Sequence, residues 1–408
     1  LEKRLYLCAD LGTSSLKAAL IDSVGSLHGF ARVYYACQES AASWFDAFLS
    51  AVDKLGTSST ALVPVSAIVI SGNGPTLVPV TGDNPVTSES LRPMYWHDPV
   101  PATKDESPLS EEISSLFLFK VKAYIQGNEK NLSGIQYLFS PQEWLSWKLG
   151  ARPVTVIPHQ GYVPYYWDDE QCKKLSINQE WFPPFVKMGD TIGELRSNMM
   201  CGHTSLLKPG TPIVAGAADF IMALIGTGTL KPGMACDRTG SSEGINLCVE
   251  SVPGLLQETV RVLPHAVPEL WNLGAIIPRS GSLFEEYRSD GNQEEKTHSE
   301  LVQEILANQS HSGRIVLETM AHNFINALSA IEKIVFPIKE LTLSGGQCAD
   351  YLWNQYKAHI SGRILKVPEI IHAELAGNAV LCEAAFSGES IQETAEKMIR
   401  IKKVFSPV

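Results

Sequence analysis

The chain opens on short apolar runs broken by polar, glycine-bearing turns. Residues 6–9 are apolar and end on a lone acid, Asp10; Leu11-Gly12-Thr13-Ser14-Ser15 follows, and 18–21 is apolar again. Two such runs joined by a turn of this composition predict a β-hairpin. Residues 27–35 predict a third strand, and 67–70 a fourth that ends in Ser71-Gly72-Asn73-Gly74-Pro75, a clear turn signal. Between them Trp44, Phe45, Phe48, Leu49, Val52 and Leu55 recur at helical spacing over 40–55, and the Trp44, Phe45 and Phe48 stripe is read as core. Residues 77–80 and 92–96 read as strands, and 116–125 and 141–149 as helices. Ser140-Pro141-Gln142-Glu143 supplies a cap, a first-turn proline and a third-position acid for the second of these helices. Around 189–193 the pattern reads as loop.

The second half echoes the first. A strand at 212–215 is followed by one at 234–237, then Arg238-Thr239-Gly240-Ser241-Ser242, then another strand at 244–249. Helices over 315–331, 351–360 and 374–386 alternate with strands at 341–343 and 364–367, while 289–299 is polar and predicts a surface loop or helix start. Two halves, each opening on a hydroxyl-rich hairpin, predict a duplicated unit.

Those two turns carry the candidate chemistry. Backbone N–H groups in such a turn can cradle an anion, and a glycine there lets a ligand approach the backbone. A carboxylate beside it, here Asp10, can hold Mg²⁺, usually through water. Either turn alone is also consistent with an ordinary hairpin whose Asp and Thr satisfy turn geometry. The coincidence of two favours a nucleotide whose phosphates receive donors from both sides. Asp219 lies in the apolar run 212–230, where desolvation would raise its pKa and make it a better proton acceptor; an Asp before an apolar helix also serves as an N-cap. Lys17 is assigned to the solvated side of its strand, and Gln347 is compatible with a merely solvated side chain.

Composition narrows the class. The 408 residues are 44% hydrophobic and 19% charged, enough for two or three domains with sizeable cores. A net charge of −11 argues against nucleic acid, whose phosphates need clustered Lys and Arg. Eight cysteines are scattered without a C-x-x-C pair or a metal spacing, which fits a reducing cytoplasm. His97 and His372 have no second ligand nearby in sequence and receive no metal role. The run 212–230 contains Asp219, glycines and a proline, so it is rejected as a membrane span, and the first residues have no signal-peptide profile.

In order and spacing these motifs resemble the FGGY carbohydrate kinases, relatives of actin, hexokinase and the chaperone ATPases. Residues 10–15 are similar to that family's first phosphate motif, 70–75 to the strand and turn beside the sugar, and Trp96-His97-Asp98 to its sugar-contact segment. Ser140-Pro141-Gln142-Glu143-Trp144 resembles a family helix start, and 189–193 with 207–212 resembles the lead-in to the second domain. Gly216-Ala217-Ala218-Asp219 falls at the catalytic Asp, Thr239-Gly240 at the second phosphate motif, Ser344-Gly345-Gly346 at the adenosine motif, and Ala376-Gly377-Asn378-Ala379 at the final helix.

The resemblance implies an α/β fold of two ribonuclease H-like (actin-like ATPase) domains, 1–212 and 213–408, with a cleft between them. It implies ATP-dependent phosphorylation of a sugar, sugar acid or polyol hydroxyl, with Asp219 as the base and Mg²⁺ at Asp10. Gly12, Thr13, Ser14, Thr239, Gly240, Ser241, Gly345, Gly346 and Gln347 would hold the nucleotide, and Asn73, Trp96 and Asp98 the carbohydrate. The expected partner is a small-molecule carbohydrate, with no nucleic acid and no membrane, in the cytoplasm; a homodimer is compatible with the resemblance. The chain departs from the family in being shorter. Residues 282–313 lack most of a segment that usually carries a Gly-Glu-Arg loop, and Arg238 stands where the second phosphate motif usually has Gly. These departures sustain a second expectation, a sugar- or nucleotide-binding regulator with impaired catalysis.

Overall fold

A computed structural model of the chain describes residues 3–408 apart from 38–39, 59–62, 101–111, 129–131, 133, 198–205, 241, 255–256 and 292. Its internal contacts divide the chain into two compact units. The first takes in residues up to Met222 together with Glu374–Thr394; the second takes in Ala223–Ala373 and Ala395–Val408.

The first unit contains β1 (Leu5–Leu11), β2 (Ser15–Asp22), β3 (Leu27–Tyr34), β4 (Ala67–Gly72), β5 (Val78–Thr81), β6 (Glu89–Ser90), β7 (Ile135–Phe139), β8 (Thr155–Ile157), β9 (Phe185–Lys187), β10 (Thr191–Glu194) and β11 (Pro212–Val214). Its main sheet is ordered β10-β11-β4-β1-β2-β3. Strands β1, β2 and β3 form an antiparallel meander, and β4 and β11 add on parallel to β1. Every residue of β1 is buried, because both faces of this central strand are covered, which is why it reads as an unbroken apolar run. The helix Ala42–Ser58 packs on β2 and β3 and buries Trp44, Phe48, Val52 and Leu55.

Two expectations fail here for identifiable reasons. The segment 92–96 is not a strand: only Met94 pairs, in an isolated bridge with Leu77. The chain turns instead because Asp98 Oδ2 accepts the Tyr95 N–H at 2.7 Å and Lys120 Nζ donates to the Tyr95 carbonyl at 2.7 Å. Conversely, 189–193 is not all loop, since Thr191–Glu194 pairs antiparallel with β11 as the sheet's edge strand.

The second unit contains β12 (Ala235–Thr239), β13 (Glu243–Val249), β14 (Val260–Pro264), β15 (Trp271–Ile277), β16 (Glu340–Gly345), β17 (Ile364–Pro368) and β18 (Ile401–Phe405), in the order β14-β15-β13-β12-β16-β17-β18. Strands β12, β13 and β15 are antiparallel, β16 and β17 add on parallel to β12, and β18 closes that edge antiparallel. This repeats the first unit strand for strand, with β14 added outside β15. The duplicated α/β, ribonuclease H-like architecture expected from the sequence is therefore observed. Leu247, Leu273, Phe324, Leu341 and Leu365 belong to one core cluster of this unit. A second cluster, with Phe284, Leu301, Leu317, Met320 and Trp353, lies under the helices Ser280–Asp290 and His298–Ala307. The polar stretch 289–299 joins those two helices. Among the described residues no helix is long and apolar enough to cross a membrane.

The helix Pro141–Leu149 starts where the sequence places it. Glu143 Oε2 accepts the Ser140 N–H at 2.8 Å, and Oε1 accepts the Val156 N–H at 2.7 Å. Burial pushes the Glu143 carboxyl from 4.5 up to about 7, against these two hydrogen bonds, which favour the ionised form. Its folded pKa is thus raised, so its contribution to stability is full below about pH 4.5 and is lost as the pH rises through about 7. The stability of the wild type relative to Glu143→Gln, measured by urea unfolding, is expected to fall by up to about 3 kcal/mol between pH 5 and pH 8. A pH-independent difference would show that Glu143 does not take up this proton.

Candidate functional site

Because β1, β4 and β11 are parallel, their carboxyl ends lie on one edge of the first unit's sheet. Asp10 is in register with Ser71, and Leu11 with Gly72. Beyond β11, Ala218 pairs with Gly72 in a parallel bridge, so Asp219 reaches the same edge. Two strand spacings, about 10 Å, separate the end of β1 from that of β11. The approach depends on Gly216, where a Cβ would lie 2.1 Å from the Ile70 carbonyl oxygen. Ligands of open α/β sheets bind outside strand carboxyl ends of this kind.

Asp10 is almost fully buried. Its Oδ1 accepts from Ser71 Oγ at 2.9 Å and its Oδ2 from Lys17 Nζ at 3.2 Å. Burial pushes its pKa up, with Glu374 adding to that and Lys17 and Ser71 opposing it. Lys17 is therefore not on a solvated face, as the alternation of its strand suggested. It is the cation directly across the hairpin from Asp10. Asn378, in the helix Ala373–Ser387, completes the cluster by donating to Ala9 O at 2.9 Å and Ser71 Oγ at 3.1 Å. Sequence reasoning missed Lys17, Ser71, Glu374 and Asn378. A signal existed for Asn378, an amide buried within an apolar helix.

At the hairpin tip, Gly12 N–H donates to Ser15 O at 3.1 Å, and Gly12 O accepts from Tyr35 Oη at 3.1 Å. Thr13 is half-buried and Ser14 exposed. Trp96, 44% exposed, donates its indole N–H to Thr13 Oγ1 at 3.1 Å and so stands beside the tip. Asn73 is buried and donates to Leu11 O at 2.9 Å while accepting from Thr76 Oγ1 at 2.5 Å. The Asp98 carboxylate holds the 95–98 turn through Tyr95. Asp219 is the first residue of the helix Asp219–Gly226 and is half-buried rather than sunk in the apolar run; its Oδ1 accepts the Phe220 N–H at 2.6 Å.

The second unit presents a matching hairpin, β12 to β13. Thr239 Oγ1 donates to Ser344 O at 2.6 Å. Gly345, at φ +93°, lies so close that a Cβ there would meet Thr239 O at 1.8 Å. Gly281 abuts the tip in the same way: its Cβ would lie 2.1 Å from Gly240 O and 3.1 Å from Gln347 Nε2. The structure thus brings Thr239, Gly240, Gly345 and Gln347 together, with Gly346 in open space beside them. Ser241 lies outside the described residues. Gln347 is not simply solvated, since both polar atoms of its amide are buried without a hydrogen-bond partner among the described residues.

Behind this tip lies a charge cluster that the sequence did not reveal. Lys357 Nζ, fully buried, donates to Asp237 Oδ2 and Glu243 Oε1 and sits 4.0 Å from the centre of the Phe324 ring. Ser280 Oγ donates to Glu243 Oε2 at 2.6 Å. Burial and the Glu243 charge push Asp237 well above the carboxylate range, while Lys357 draws it back. Asp237 precedes its turn as Asp10 precedes its own, which was the available signal.

Among the described residues no group of three or more His, Cys, Asp or Glu side chains could hold a metal ion. Mg²⁺ keeps several waters and takes one or two carboxylates plus phosphate oxygens, so the Asp10 carboxylate beside a hydroxyl-rich tip fits it without a full protein cage. Gly345→Ala is expected to lower the second unit's stability by about 3 kcal/mol or more, through positive φ and overlap with Thr239, as read by thermal or urea unfolding. Wild-type stability in that variant would disprove the close contact.

No family model matches the chain. The autoinducer-2 kinase of Escherichia coli (strain SMS-3-5 / SECEC) is 23% identical over 294 residues, 59% of this chain and 54% of the relative. The chain spans about half the length of the curated relatives it matches. Among solved structures, a gluconate kinase from Lactobacillus acidophilus superposes with a TM-score of 0.81 at 18% identity, covering 100% of this chain and 94% of that one. A ligand-bound xylulose kinase from the same organism superposes with a TM-score of 0.80 at 17% identity, covering 99% and 94%. The resemblance drawn from the motifs is borne out: in sequence and in fold this chain is similar to the FGGY carbohydrate kinases.

Proposed function

We propose that the chain transfers the terminal phosphoryl group of ATP to a hydroxyl of a sugar, sugar acid or polyol. The observation that supports this most is the placement of Asp10 and Asp219 at one sheet edge, beside a hydroxyl-bearing hairpin tip. Phosphoryl transfer asks a protein for charge neutralisation, positioning and a base for the attacking hydroxyl, and those residues divide the tasks. Asp219, half-buried at a helix start, accepts the hydroxyl proton. Asp10, oriented by Lys17 and Ser71, would hold Mg²⁺. The ion, when bound, neutralises charge on the phosphates.

In the first unit, the tip residues Gly12, Thr13 and Ser14 would donate to phosphate oxygens; in the second, Thr239 and Gly240 form a tip of the same kind. Gly345, Gly346 and Gln347 take the nucleoside. Trp96 offers its exposed face to the carbohydrate, with Asn73 and Asp98 shaping the adjoining turns. The reaction assigns the chain to the ATP-containing, reducing cytoplasm.

Asp219→Asn is expected to lower kcat by about 10²- to 10⁴-fold with little change in the KM for ATP, read as ADP release over a panel of pentuloses, hexonates and polyols. Undiminished turnover would remove Asp219 as the base. A wild type that binds ATP in calorimetry but phosphorylates no acceptor would instead identify a nucleotide-binding regulator.

A further inference from the structure

The second hairpin carries a cation that the reaction scheme has not used. Arg238 lies on β12 between Asp237 and Thr239, opposite in register to Gly244 on β13 and Ser344 on β16. Strand alternation puts it on the face opposite Asp237, so it takes no part in the Lys357 cluster. Its Nε and Nη1 are buried, and neither has a hydrogen-bond partner among the described residues. A guanidinium is always charged and offers five donors in a fixed fork. Leaving two of them dry and unpaired is unfavourable unless something else supplies the acceptor.

Room for that acceptor lies alongside. A Cβ on Gly244, directly across from Arg238, would meet nothing closer than Asn246 Nδ2 at 3.9 Å. The other in-register neighbour, Ser344, is small. The fork therefore stands next to a cross-strand position without a side chain, one residue before the Thr239-Gly240 tip.

We propose that Arg238 binds phosphate oxygens of the nucleotide, pairing its fork with two of them. This rests on the kinase reading and adds to it a residue that discriminates nucleoside polyphosphate from nucleoside. A bidentate arginine–phosphate pair is charge-assisted and geometrically selective, so a lysine, which offers a single point charge, replaces it only in part. Unlike the hydroxyls of the tip, it offers a phosphate a full positive charge.

The test compares the wild type, Arg238→Met and Arg238→Lys by calorimetry with ATP, adenosine and xylulose 5-phosphate, and by thermal melting without ligand. Arg238→Met is expected to weaken ATP binding at least tenfold and to leave adenosine binding within twofold. Arg238→Lys is expected to fall between. Removing an unpaired buried charge should leave the ligand-free melting temperature of Arg238→Met equal to or above that of the wild type. ATP affinity within twofold of wild type in Arg238→Met would overturn the proposal while leaving the kinase reading intact. So would a variant that loses xylulose 5-phosphate binding but keeps ATP binding, which would move the contact to a phosphorylated sugar. A wild type that binds no ATP would overturn the kinase reading and this proposal with it.

Discussion

Each unit buries a carboxylate near the end of its central strand and neutralises it with a lysine, and the arrangement of both candidate phosphate tips depends on that pairing. A buried charge left without its partner costs about 3–5 kcal/mol, so neither lysine is a free choice. Their origins differ. Lys17 reaches Asp10 from the facing strand of the same hairpin, so the first tip carries its own counter-ion. Lys357 reaches Asp237 from a helix 120 residues further along the chain. The second tip therefore draws its counter-ion from the helix Tyr351–Ser361, whose Lys357 sits over Phe324.

Glycine serves the same end where backbones must touch. Gly216 lets the chain after β11 close on β4, which brings Asp219 to the edge shared with Asp10. Gly345 and Gly281 crowd Thr239 and Gly240 from two directions. A side chain at any of these three positions would overlap a backbone carbonyl, so the candidate site is shaped by main-chain proximity as much as by reactive groups.

Much of this was legible in the chain. The two hairpins stand out because short apolar runs flank polar, hydroxyl-rich turns, and the helix Pro141–Leu149 because its cap and first turn follow the local rules. The failures share a cause, which is long-range contact. The edge strand Thr191–Glu194 looks like a loop because its polar residues pair on one side only. The segment 92–96 looks like a strand, but Lys120 and Asp98 pull it into a turn. Lys17 looks solvated by alternation, and only the register of β1 on β2 shows that it faces Asp10. Strands β14, β15 and β18 were not anticipated at all, since Arg261 in the first, Asn272 and Gly274 in the second, and the basic Lys402-Lys403 in the third interrupt their apolar patterns.

The return of Glu374–Thr394 to the first unit sets an order on biosynthesis. Asn378 donates to Ala9, and Glu383 accepts from Tyr6 and Arg4, across separations of 369, 377 and 379 residues. At ribosomal speeds of about 5–20 residues per second, those partners emerge roughly 20 to 75 s after the strand they lock. During translation β1 can pair with its neighbours in the sheet, but it stays without the helix that covers it until nearly the whole of the second unit has been made.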